Sequence, residues 1–190
     1  MYRDGNIYDE MCMVAIDIYI DYDIRKFPVD EKELCRKMGI ALIPYSEFED
    51  DEILLLIKRT EHGFFVRGSI ESPPTIYYND ISKTDGEKRF TIFHEIKHYV
   101  CEDENDEDDD LADYFARYMM CPIPYLLLKN IVTKNEIASF CGTSLSAAGN
   151  ASRNIINRRN RYGYEIFDYE FDLIEHLEPV LIEVSKKLNR

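Results

Sequence analysis

No stretch of this chain constrains it more than His94-Glu95-Ile96-Lys97-His98. An H-E-x-x-H run carried on a helix sets its two histidines four apart, one turn up the same face. They stand about 40° apart around the axis and about 6 Å along it. Two imidazole nitrogens so placed can reach one ion at about 2 Å each. Glu95 lies about 100° round from His94, near enough to take a proton from water at such an ion without ligating it. The surroundings suit a helix: Thr84 or Asp85 can cap it, and Phe90, Phe93, Ile96 and Val100 recur at offsets of three and four. The alternative is that two ordinary helical histidines meet the pattern by chance.

A carboxylate suits the third place of such a site, since catalytic zinc takes three protein ligands and leaves one position open. Asp109 and Asp113 fall on one face of a helix expected from about 108 to 120, beside an apolar face of Leu111, Phe115 and Met119. Asp109 can ligate, while Asp113 can orient a histidine through its other ring nitrogen. Small Ala112 and Ala116 permit close approach to the histidine helix. Asp108 and Asp110 point about 100° away. His62 and His176 are weaker candidates, by residue type alone, and Cys101, three residues beyond His98, would point toward the acidic run. The alternative reading of Asp108–Asp110 is a solvated acidic run at a helix start.

The chain has 190 residues, 45% apolar and 32% charged, as a soluble globular protein has. Its five cysteines, odd in number and without C-x-x-C spacing, read as free thiols in a reducing compartment, so a cytoplasmic protein is expected. Met11–Ile20 is apolar but interrupted by Asp17, which indicates neither membrane span nor signal peptide. The net charge of −14 argues against general affinity for nucleic acid or anionic membrane. Eight acids crowd positions 102–110, whereas 144–163 carries Arg153, Arg158, Arg159 and Arg161 with no acid.

Along the chain, helices are expected over 8–22 and from Asp30 to Met38, and a strand over Ile40–Pro44. A helix is favoured over Asp51–Arg59, and strands over Phe64–Val66 and Thr75–Tyr78. The pair Pro73-Pro74 would blunt a sheet edge. Thr133-Lys-Asn-Glu136 is a capping box for a short helix broken at Gly142. Helices follow over 144–159 and 168–188, the latter with Pro179 as a kink. The class is therefore α+β: a small β-sheet packed against the H-E-x-x-H helix, then a mostly helical C-terminal half. The division drawn is a core over 1–125 and a helical region over 126–190, with a helix-turn-helix-like segment at 133–160.

Two segments carry a family resemblance. Arg89-Phe-Thr-Ile-Phe-His-Glu-Ile-Lys-His98, followed by Ala112-Asp-Tyr-Phe-Ala-Arg-Tyr-Met-Met-Cys-Pro122, resembles the ImmA/IrrE-like metallopeptidases. The similarity reaches back through Ile76-Tyr-Tyr-Asn79 and Phe27-Pro28-Val29-Asp30, and forward through Glu136-Ile-Ala-Ser-Phe140, covering roughly 8–160. It implies His94, His98 and Asp109 as metal ligands, Glu95 as general base, and zinc as the ion, with Mn2+ as an alternative. Three departures stand out: Asp109 where the family has glutamate, Lys97 where it has glycine, and Cys121 where it has methionine. A long cation at Lys97 can snorkel outward or pair with the acidic run; the alternative is that it crowds the cleft or weakens metal binding. The resemblance further implies an endopeptidase that cleaves a helix-turn-helix repressor of a mobile element or stress response. A substrate strand is expected to pair at the sheet edge near 73–79. The rival is a catalytically weak or inactive member acting as a regulator-binding or DNA-binding module. Against direct DNA binding stand the charge of −14 and the lack of basic surface beyond a few arginines.

Overall fold

Local chemistry sets the elements. A computed structural model describes residues 7–102 and 109–179. By backbone contacts the chain forms two compact units, residues 30–117 and residues 1–29 with 118–190. This is a different partition from the division at 125, which groups residues by motif.

The chain opens with helix α1 (Ile7–Asp21). In the unit 30–117, the Asp30 side chain accepts from the Glu33 amide and starts α2 (Glu31–Met38). After Gly39 comes strand β1 (Ala41–Pro44), then a 3-10 turn over Tyr45–Glu47. Helix α3 (Asp50–Arg59) opens with the Glu49 amide donating to the Glu52 carboxylate at 3.2 Å. The ambiguous LLLI run is thus helical, as its acidic N-terminus favours. Strands β2 (Gly63–Val66) and β3 (Thr75–Tyr78) complete a three-stranded sheet of order β1-β3-β2. β1 runs parallel to β3 with Ala41 opposite Thr75, and β2 runs antiparallel with Gly63 opposite Tyr78. The strand at 75–78 is therefore central and both its sides are occupied. No edge for a substrate lies there, and Pro73-Pro74 leads into an interior strand. The sheet's outer strands are β1 and β2.

Helix α4 (Asp85–Cys101) is capped by Thr84, whose hydroxyl accepts from the Glu87 amide while Glu87 reaches back to the Thr84 amide. It packs on β2 and β3. Ile92, Phe93 and Ile96 are fully buried, as is Ile76 on β3, each such side chain stabilising the fold by about 1.5–3 kcal/mol. Gly63 is where β2 comes nearest: a Cβ there would lie 2.6 Å from the Tyr77 carbonyl oxygen and 2.7 Å from Thr91 Cγ2. Arg89 ties α4 to α2 through Glu31, Nε to Oε2 at 3.0 Å. Asn79 closes β3, its amide donating to the Glu61 carbonyl and its oxygen accepting from the Ile81 amide. Helix α5 (Asp109–Met120) follows, and the boundary between the units falls within it. The mixed sheet followed by helices is the expected α+β class.

The other unit is helical. α1 and the end of α5 join α6 (Ile123–Leu128), α7 (Lys134–Cys141), α8 (Leu145–Tyr162), a 3-10 turn over Asp168–Glu170 and α9 (Phe171–Leu177). Tyr19 donates to the Met119 carbonyl at 2.6 Å. Phe27 stacks on Tyr125 and Phe140, ring centres 5.4 and 4.9 Å apart. Thr133 and Glu136 form the expected capping box, and Gly142 turns the chain at φ 60° between α7 and α8, a left-handed conformation that glycine adopts without a Cβ clash. The helix expected over 168–188 is a 3-10 turn and then α9, and its part beyond 179 lies outside the described residues. All five cysteines are free thiols. No described helix is long and apolar enough to cross a membrane.

Candidate metal centre

His94 and His98 sit beyond the second turn of α4, on the side where α5 begins. Their rings lie 5.2 Å apart, centre to centre. Asp109, the first residue of α5, brings Oδ1 to 3.6 Å from His94 Nε2. One ligand atom from each of His94, His98 and Asp109 can be chosen so that all three lie within 4.8 Å of one another. Donors about 2 Å from a tetrahedral ion stand about 3.3 Å apart. The His94–Asp109 pair is near that spacing already. Two imidazoles and one carboxylate are a donor set that zinc favours.

Behind His94 stands Asp113. Its Oδ1 lies 3.1 Å from His94 Nδ1, and its Oδ2 accepts from Arg117 Nη2 at 2.6 Å. With Nδ1–H donating to Asp113, the lone pair of Nε2 faces Asp109, the orientation a ligand needs. Burial and the neighbouring His98 hold the His94 imidazole below its ordinary pKa, and Asp113 and Asp109 offset part of that. Ala112 and Ala116, on the same helix, are buried. Glu95 is 7% exposed.

Of the alternatives for Lys97, the outward one is overturned, while pairing with the acidic run falls largely outside the described residues. Lys97 does not snorkel to solvent but is buried, at 1% exposure. It lies on α4 between Ile96 and His98, a side of the helix that the packing encloses. His62 lies in the turn before β2, and His176 Nε2 lies 3.1 Å from the Ile24 carbonyl oxygen. Neither of them, nor Cys101, joins the cluster. Two residues near the site escape sequence reasoning. Arg117 is legible afterwards as the i+4 partner of Asp113. Tyr45 is fully buried at the end of β1, and its phenol is raised by burial and then by the charge of Glu95, against an opposing pull from Arg59. Nothing local in the sequence places Tyr45 beside a residue fifty positions away.

Residues 35–150, more than half of the chain, match the model of the Peptidase M78 family, described as the IrrE N-terminal-like domain. No curated protein and no solved structure gives a significant match. The matched span contains α4, α5 and every residue of the candidate centre. This chain belongs to the IrrE N-terminal-like domain family.

Proposed function

We propose that the chain is a cytoplasmic zinc-dependent endopeptidase that cleaves a helix-turn-helix transcriptional repressor of a mobile element or stress response. Family membership and the His94–His98–Asp109 cluster support a metallopeptidase-type function. One observation supports the metal-dependent part of this reading, and the substrate rests on the family resemblance. Asp113 holds Nδ1 of His94, so that Nε2 is aimed at Asp109 as a ligand nitrogen would be.

A divalent ion held by His94, His98 and Asp109 would acidify water and polarise a peptide carbonyl. The chain's own residues do the rest. Glu95 accepts a proton from the attacking water on a carboxylate oxygen and returns it to the departing amine nitrogen. Asp113 keeps His94 in one tautomer, and Arg117 keeps Asp113 in place. A substrate strand adds to the outer side of β2, the outer strand that packs on α4, with main-chain hydrogen bonds supplying affinity. Asp109 reaches one methylene less far than glutamate, and its Oδ1 nonetheless comes to 3.6 Å from His94 Nε2.

A second reading, a binding module without catalysis, is favoured by buried Lys97 beside the ligand His98. Direct DNA binding is disfavoured because Arg158, central to the basic stretch, is committed inside the fold to Glu170. The experiment is cleavage of any helix-turn-helix regulator encoded nearby, with metal content measured in parallel. Wild type should cleave it and hold about one equivalent of zinc, which His94→Ala/His98→Ala should lose. Glu95→Gln should keep the metal and lose about 10²–10⁴-fold in rate. Equal cleavage by Glu95→Gln removes Glu95 from the base role. Wild type that binds the regulator without cutting it establishes the binding module instead.

A further inference from the structure

We infer that α3 is a self-association surface, on which a second copy of this chain docks its own α3 antiparallel about a two-fold axis. Among ten residues α3 has no fully buried side chain, and Leu54 and Leu55 at its midpoint are each 69% exposed. Asp51, Leu54, Leu55 and Lys58 form one stripe about 100° wide along the helix. Its N-terminal end is acidic, its centre apolar and its C-terminal end basic. Asp51 and Lys58 are exposed, and neither is in an ion pair among the described residues.

That order of charges selects the partner. An isologous contact must be complementary to itself. Rotating α3 by 180° about an axis between Leu54 and Leu55 brings Asp51 level with Lys58 of the second copy, twice over. The four leucines then meet at the axis, where they leave water together. A parallel arrangement would oppose Asp51 to Asp51 and Lys58 to Lys58. A helix with acids at both ends, or bases at both, would not match itself in either direction. Arg59 stacks over Phe64, its Cζ 4.4 Å from the ring centre, and anchors the basic end of α3 to β2. One helix about 15 Å long buries less than the roughly 1,600 Å² of a standard interface, so the dimer is weak and concentration-dependent.

The test is sedimentation velocity on the full chain from about 1 µM to about 1 mM at physiological salt, with circular dichroism to confirm that each variant is folded. Wild type should rise from the monomer mass of 22.4 kDa toward twice that value. Asp51→Lys makes both ends basic and Lys58→Glu makes both acidic, so each alone should associate at least roughly tenfold more weakly. Mixed in equal amounts they should regain association, since the basic stripe then meets the acidic one. Leu54→Gln/Leu55→Gln, with the charges intact, should remain monomeric. Wild type staying at the monomer mass throughout overturns the inference. So does a mixture no stronger than its components, or a leucine variant that associates as wild type does.

Discussion

Asp113 touches no ion in the proposed chemistry, yet it decides how His94 presents itself. Its two oxygens are divided between His94 Nδ1 and the Arg117 guanidinium. Replacing it by alanine removes the acceptor for Nδ1–H and lets the imidazole change tautomer or rotate. Groups in this position typically contribute 10–100-fold to metal affinity. Asp113→Ala should therefore weaken zinc binding by about that factor in a competition titration while far-ultraviolet circular dichroism stays unchanged. Affinity equal to wild type would mean that His94 is positioned by packing alone. Lys97 makes the complementary point. Its type suggested an exposed cation, but a helix position fixes where a side chain starts and packing decides whether it reaches water.

At the scale of elements, α8 shows how a functional-looking feature can be structural. Arg158 makes two bonds of 2.6 Å to Glu170, which is 1% exposed, and its guanidinium lies 4.3 Å over the Phe167 ring. Removing one partner of such a pair leaves a buried charge, at a cost of about 3–5 kcal/mol. Arg158→Ala should lower stability by that order in urea unfolding, whereas Arg153→Ala on the exposed face should change it by less than about 0.5 kcal/mol. Equal effects would show that α8 does not depend on the pair. The boundaries of α2, α4 and α7 were legible in the sequence because caps are local chemistry: Asp30, Thr84 and Thr133 each bond an amide three residues on. The histidine pair was legible for the same reason, a fixed spacing on a fixed helix. Strand order was not. That 75–78 lies between the other two strands depends on a parallel pairing across more than thirty residues, which no local pattern records. Tyr45 beside Glu95 and Glu170 beneath Arg158 were hidden likewise.

For the whole molecule, pH acts through its few histidines as well as its many acids. The His176 imidazole is held below its ordinary pKa, chiefly by burial and then by Arg25, with the Ile24 carbonyl and Asp23 opposing. On acidification the unfolded chain takes up this proton first, at about 6.5. The folded state takes it up only at lower pH. The stability that neutral His176 contributes is thus complete above that range and declines as pH falls from about 6.5 toward the folded value. The urea midpoint should drop between about pH 7.5 and about pH 5.5, and His176→Gln should reduce that drop. An identical pH slope in wild type and variant would assign the loss to other groups.

The outer side of β2 presents a different problem. A strand able to receive a peptide is equally able to receive a strand from another sheet, the route by which exposed edges seed aggregates. β2 is only four residues long, and charged residues stand just outside it, Glu61 before and Arg67 after. Gly63 cannot be lengthened by even one carbon without striking Tyr77 and Thr91. The strand is thereby held tight against its neighbours at that end. A flexible chain can conform to four residues and continue past them, whereas a rigid sheet finds too few bonds there to stay.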